Sequence, residues 1–214
     1  FGQKRPVPAK KPALKKPVAA KTSAATAAKP APKAVLKEIP ETEWKLLVAA
    51  LEAEDWTRAS TLASAAIGRL NTDNDKKQLV RLRYFYLYAL AGKAAGGKMT
   101  YTELEKITAL FIGKEFLMPS RDFLSDCTQK VNYICPVIAN ETVLRVTATN
   151  KSGTEIHSFE YVKLGEKFDF AANEGKTAFL GGTLQEAEIK PYKKNISIMR
   201  LIFEQGFVNI VASR

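Results

Sequence analysis

The sequence predicts an α+β protein with a basic N-terminal tail, and three successive residue patterns support this. Residues 1–40 consist mostly of lysine, alanine and proline. Residues 41–115 carry apolar side chains at helical spacing, whereas residues 116–214 alternate apolar and polar side chains between turn signals. We therefore expect a disordered tail, a helical domain and a β-rich domain with these boundaries.

The net charge of the chain lies almost entirely in residues 1–40. The formal net charge is +11, and this segment contributes most of it because Glu38 is its only acid. Such a composition cannot bury enough apolar surface to fold, so we expect an extended arm. It resembles histone H1-type tails and the linkers of bacterial envelope proteins, which implies a tether to an anionic surface, with a solvated spacer as the alternative. The polyanion-binding candidates in the arm are Lys10, Lys11, Lys15 and Lys16.

Two apolar stripes run along residues 75–91 at helical spacing, which predicts a helix buried on both sides. One stripe is Leu79, Leu82, Phe85, Tyr86 and Leu90, and the other is Val80, Tyr84, Leu87 and Ala91. Residues 71–74 supply N-cap side chains, and Gly92 is expected to end the helix. The aromatic side chains are interpreted as core, with a partner-binding groove as the alternative. The candidates for that groove are Arg83, Tyr84, Tyr86 and Tyr88.

Two shorter helices are predicted ahead of it, at residues 41–53 and 55–70. The run EDWTRA at residues 54–59, followed by Ala63 and Ala66, resembles the second half of a tetratricopeptide repeat. This resemblance implies a helical hairpin that presents a concave face to partner peptides.

A second, degenerate hairpin of the same type is expected over residues 74–115. Thr100 is placed to cap its second helix, and Glu103 completes a capping box. Leu104 stands where the repeat has alanine, and the loop at residues 92–99 is long for this family.

About six strands are predicted after residue 116, joined mostly by hairpins. The long strand at residues 177–189 contains Gly181 and Gly182, which favour a bulge or bend. With the strand after residue 195, it resembles the start of an OB-fold barrel. A small antiparallel sandwich or half-barrel is the alternative. The hairpin tip between these strands is a candidate nucleic-acid contact through Lys190, Tyr192, Lys193 and Lys194.

Two cysteines, Cys127 and Cys135, leave three alternatives open. The alternatives are two independent thiols, one disulfide bond, or a redox pair. Seven intervening residues are atypical of a redox pair. They are too few for a tetrahedral zinc site unless His157 and a carboxylate joined them.

Residues 92–98 match the phosphate-loop pattern G-x-x-x-x-G-K, but Met99 occupies the position of the magnesium-binding Ser or Thr. A flexible basic loop is the simpler interpretation. His157 is the only histidine, and the alternation around it places it on a sheet surface. No catalytic set, metal site or cofactor is predicted.

These observations favour a non-enzymatic binding or scaffold protein, tethered by its arm. A nucleic-acid-associated protein is the alternative, and an unrecognised enzyme ranks third. No apolar run reaches the length of about 18 residues that spans a membrane. The chain begins at Phe1, not at Met, which is expected either after processing of a leader or for a sequence trimmed at its start. The bacterial periplasm or cell envelope is expected, with the cytoplasm as the alternative.

Overall fold

The computed structural model describes residues 38–70, 76–128, 130–137, 140–193 and 195–211. These residues belong to one unit, Lys33–Arg214. Several predictions fall outside the described residues: residues 1–37 of the arm with Lys10, Lys11, Lys15 and Lys16, the N-cap at residues 71–74, and Lys194.

Four helices occupy the first half of the described chain: α1 (Glu41–Glu52), α2 (Trp56–Ile67), α3 (Lys76–Ala95) and α4 (Tyr101–Ala109). Helix α2 packs against both α1 and α3, because Ala59 and Ala63 are small and fully buried. The capping box predicted for α4 is confirmed: Thr100 accepts from the backbone of Glu103, whose carboxylate accepts from the backbone of Thr100.

Helix α3 is buried on both sides, as its two stripes predict. Leu82 and Leu90 are buried on one side, and Tyr84 and Leu87 on the other. The expectation that Gly92 ends the helix is wrong, since α3 continues to Ala95. Gly92 instead lets the Trp56 ring lie on the helix: a Cβ there would come within 2.4 Å of that ring.

The described strands form one mixed sheet, and a short 3-10 helix (Ala171–Asn173) precedes its longest strand. The strands are β1 (Glu115–Leu117), β2 (Arg121–Asp122), β3 (Ile134–Val137), β4 (Asn140–Thr149), β5 (Ile156–Leu164), β6 (Thr177–Pro191) and β7 (Ser197–Ile210). Their order is β1-β6-β7-β5-β4-β3, and β2 also pairs with β6.

The predicted antiparallel barrel or sandwich is wrong in one respect, because β5 and β7 pair in parallel. Strand β7 lies between β5 and β6, the two strands that precede it. Strand β7 forms an antiparallel hairpin with β6 and runs parallel to β5, so β5 and β6 run in opposite directions. A bond from Leu124 N to Ile134 O, 2.9 Å long, links the segment after β2 to β3 and joins the two ends of the sheet.

The helices and the sheet share one hydrophobic core. Helix α3 contacts β1, β5 and β7, and α4 contacts β6. The fully buried side chains include Leu82 and Leu87 from α3, and Phe116 and Phe203 from the sheet. The boundary near residue 115 therefore separates helices from strands within this shared core.

Candidate functional site

A cleft of about 370 Å³ opens between the helices and one end of the sheet, and we call it the junction cleft. Helices α1, α2 and α3 form one wall, and β2 with the turns beside β3 and β4 forms the other. Its lining is Leu51, Glu52, Trp56, Tyr84, Phe85, Tyr88, Pro119, Ser120, Arg121, Asn132, Thr149, Asn150 and Lys151.

The helical wall of the junction cleft is aromatic, and its rings hold one another in place. The Trp56 and Tyr88 ring centroids are 6.1 Å apart in an edge-to-face arrangement. Tyr84 stacks on Tyr88 at 6.0 Å and meets Phe85 edge-on at 6.0 Å. The indole N–H of Trp56 donates to the carboxylate of Glu155, which fixes the orientation of that ring. A ligand would therefore meet a preformed wall.

A buried polar network adjoins the junction cleft through Tyr84 and Arg121, which both line it. The Tyr84 hydroxyl donates to Glu160 Oε1 at 2.6 Å, and the Ser158 hydroxyl donates to the same oxygen at 3.0 Å. Arg121 Nη1 donates to Glu160 Oε2 at 3.3 Å, and Arg121 Nη2 donates to the Tyr84 oxygen at 3.3 Å. Glu160 is fully buried, so its charge depends on these three donors.

The environment fixes the protonation of the tyrosines beside Glu160. Burial, and then the charge of Glu160, raises the pKa of Tyr84 well above its ordinary value. The same two causes raise the pKa of Tyr88. Burial acts to lower the pKa of Arg121, but Tyr84 and Glu160 more than offset it, and the pKa is raised. At neutral pH the Tyr84 hydroxyl therefore stays protonated, and it lies between Glu160 and Arg121.

The rim of the cleft is tied together across the helix–sheet junction. Glu54, in the α1–α2 turn, accepts from Asn150 Nδ2 at 2.9 Å and from the Ser152 backbone N–H at 2.7 Å. Asn150 Oδ1 accepts from the backbone N–H groups of Glu155 and Ile156, both at 3.1 Å. These bonds hold the β4–β5 turn against the helices, so the opening of the cleft has a defined shape.

The opposite rim is held by a disulfide. The structure joins Cys127 and Cys135 with a Cα–Cα distance of 6.1 Å, which selects one of the alternatives left open by the sequence. The bond closes the segment that carries Asn132. Asn132 N donates to Thr147 O at 2.7 Å, and its side chain accepts from Thr149 N at 3.2 Å.

The residues predicted to contact a partner do not share one face. Tyr84 is 3% exposed; it lines the junction cleft, and its hydroxyl serves the buried network. Tyr88 lines the junction cleft. Tyr86 instead packs against Phe111 at 6.0 Å. Arg83 donates to the backbone oxygen of Glu115 at 2.9 Å, which joins α3 to β1.

Several residues of the site were missed by the sequence prediction. They are Trp56 as a cleft residue, together with Arg121, Ser158 and Glu160. The available signal was the alternation of β5, which places Ser158 and Glu160 on the same face as Ile156 and Val162. That face is buried against α3, where Tyr84 supplies the partner.

The hairpin tip between β6 and β7 is exposed. Lys193 lies over the ring of Tyr192, with its nitrogen 5.4 Å from the ring centroid. Lys190 forms an ion pair with Glu188 at 2.8 Å. His157 is half-buried on β5, on the opposite face from Glu160, and does not line the junction cleft.

No group of three or more His, Cys, Asp or Glu residues in the described ranges is placed to hold a metal ion. None of the helices in the same ranges combines the length and hydropathy of a membrane span. Comparison of the chain with protein-family models, with curated proteins and with solved structures finds no match.

Proposed function

We propose that this chain is a non-enzymatic binding or scaffold protein whose junction cleft receives a segment of a partner protein, with the basic arm as a tether. The observation that carries the proposal is the preformed aromatic wall of Trp56, Tyr88 and Phe85 beside a few fixed polar groups. An apolar concavity with a small number of oriented polar groups is the usual form of a binding site.

The energetics of recognition favour this cleft over the rest of the described surface. Tyrosine, tryptophan and arginine dominate the binding energy of protein interfaces when they lie in well-packed concavities. Trp56, Tyr88 and Arg121 meet there. Because the rings already contact one another and the rim is hydrogen-bonded, binding would cost little side-chain ordering.

We further propose that α1 and α2 form a degenerate tetratricopeptide-like hairpin and that the sheet acts as an OB-like support. The packing of α2 between α1 and α3 supports the first. The joining of the two sheet ends near Leu124 supports the second.

The test is a selection of displayed peptides against the full chain, followed by affinity measurement on two tyrosine variants. Tyr88→Ala removes part of the cleft wall. Tyr161→Ala is the matched control, because Tyr161 is half-buried on the other side of the sheet, beneath Arg200. We expect the first variant to weaken binding about tenfold or more, a loss typical of an interface hot spot, and the control to bind normally. Equal binding by both variants, with folding verified by circular dichroism, would contradict the proposal.

A nucleic-acid-associated function is the alternative, and the exposed tip with Lys190, Tyr192 and Lys193 favours it together with the charge of the arm. Phosphate contacts by such an arm produce affinity that falls steeply with salt. The test is binding of single-stranded DNA and RNA by the full chain, by a chain lacking residues 1–37, and by Tyr192→Ala. Loss of affinity in both altered chains supports this function. No binding by the full chain at about 150 mM salt, near physiological ionic strength, excludes it.

A further inference from the structure

We infer that the junction cleft recognises a carboxylate carried on an aromatic or other apolar group, and that Arg121 is the residue that binds it. This inference rests on the proposed function, because it takes the cleft to be the binding site and specifies the chemical group that it selects.

The charge that faces the cleft is positive. Arg121 lines the cavity with its side chain 9% exposed, whereas Glu160 behind it is fully buried and does not line the cavity. Lys151 adds a second, exposed cation at the rim, and the one acid of the lining, Glu52, is also at the solvent-exposed edge. Arg121 is therefore the less exposed of the two cations in the lining, and its charge is available to a ligand inside the cleft.

Arg121 retains donors for a ligand. A guanidinium carries five N–H donors, and two of its nitrogens contact Glu160 and the Tyr84 hydroxyl. No third acceptor for Arg121 occurs within the described part of the chain. The remaining N–H groups suit the two oxygens of a carboxylate, which arginine binds in a paired geometry.

Glu160 can keep its hydrogen bond from Arg121 when a ligand binds. Its Oε1 accepts from both Tyr84 and Ser158, at 2.6 and 3.0 Å. The raised pKa of Tyr84 keeps that hydroxyl protonated as a donor. Three groups therefore donate to the buried carboxyl group of Glu160. The N–H groups of Arg121 that bond neither Glu160 nor Tyr84 can donate to an incoming anion.

The side chains that line the cleft determine which chemical group can bear the carboxylate. Leu51, Trp56, Phe85 and Tyr88 supply an apolar surface in the same cavity as Arg121. The volume of about 370 Å³ lies near the lower end of ligand cavities. It suits a small apolar acid, or the last residue of a peptide with its terminal carboxylate.

Two matched pairs of probes test the inference on the full, disulfide-bonded chain. The first pair is 3-phenylpropionate and 3-phenylpropanamide, which differ in charge but hardly in shape. The second is a Gly-Ser-Gly-Ser-Phe peptide with a free or an amidated C-terminus. Binding is measured by calorimetry at neutral pH. We expect each acid that binds to do so about tenfold or more tightly than its amide, as charge-assisted hydrogen bonds require.

The outcome separates the source of the carboxylate from the inference itself. If the acid is preferred only in the first pair, the ligand of the cleft is a free small acid. If it is preferred only in the second pair, the ligand is a peptide C-terminus. A preference in both pairs shows that the carboxylate on an apolar group is sufficient for binding. Equal binding of acid and amide in both pairs, or no binding of either acid at millimolar concentration, overturns the inference. The proposed function would still stand if Tyr88→Ala abolished the binding of selected peptides.

Charge variants locate the preference within the molecule. Arg121→Gln combined with Glu160→Gln removes both buried charges at nearly constant volume, and we expect it to bind acid and amide alike. Lys151→Gln should reduce the preference a few-fold, while Lys163→Gln should leave it unchanged, since Lys163 is exposed and paired with Glu204. An unchanged preference in the double variant contradicts the role of Arg121. If that variant does not fold, the probe pairs on the unaltered chain still decide.

Discussion

Replacing Tyr84 with phenylalanine should destabilise the protein far more than the loss of one hydroxyl from an exposed tyrosine. The change removes the donor to Glu160 Oε1 at 2.6 Å and the acceptor for Arg121 at 3.3 Å. A hydrogen bond to a charged group contributes about 1.5–3 kcal/mol. Glu160 keeps Ser158 and Arg121 as donors, so we expect a loss of about 2–3 kcal/mol in the free energy of unfolding.

Urea denaturation followed by circular dichroism measures this difference, with Tyr86→Phe as the matched control. The ring of Tyr86 packs on Phe111, and no described residue bonds its hydroxyl. We expect the control to change stability by less than about 0.5 kcal/mol. The midpoint of Tyr84→Phe should fall with an unchanged slope, and its Tm should drop by about 4–12 °C. Equal stability of the two variants would refute the idea that the buried network joins α3 to the sheet.

Three further predictions concern pH, packing and redox state. Folding raises the pKa of Tyr84, so above pH about 10 the unfolded chain releases this proton before the folded protein does. The free energy of unfolding should therefore fall by up to about 1.4 kcal/mol per pH unit. A Tyr84→Phe variant whose free energy of unfolding fell equally steeply above pH about 10 would contradict this. Gly92→Ala puts a Cβ within 2.4 Å of an aromatic ring of α2, so urea denaturation should show a loss of about 1–3 kcal/mol, whereas Gly96→Ala, an exposed control, should be nearly neutral. Reducing the Cys127–Cys135 bond, which links residues at a sequence separation of 8, should lower the free energy of unfolding by about 2–3 kcal/mol. A thermal scan with and without reductant measures this loss. If reductant lowered the Tm of the protein and of a Cys127→Ser, Cys135→Ser variant equally, the prediction would be refuted.

Local rules predicted the helical half well because its signals are contained in short stretches of chain. The capping box of Thr100 and Glu103 requires a spacing of three positions and no tertiary information. The two stripes of α3 indicate burial on both sides wherever the covering elements come from. Gly92 was misjudged because its role depends on the Trp56 ring, which lies 36 positions earlier in the sequence.

The site was less predictable because its members are distant in sequence. Tyr84 and Glu160 are separated by 76 positions, and Arg121 and Glu160 by 39. Alternation in β5 shows which residues share a face but not which face α3 covers. The parallel pairing of β5 and β7 likewise depends on long-range strand order, since β7 lies between β5 and β6, and turn signals do not specify that order.

The most direct test of the binding cleft is the chemical-shift change of the Trp56 indole N–H on adding a peptide selected on the full chain. Trp56 lines the cleft and its indole N–H bonds Glu155. An isotope-labelled sample reports the indole N–H and the backbone amides in one spectrum. We predict large shifts for the Trp56 indole and for the amides of Asn150 and Lys151. Shifts confined to Tyr192 and Lys193, with an unchanged Trp56 signal, would contradict the account.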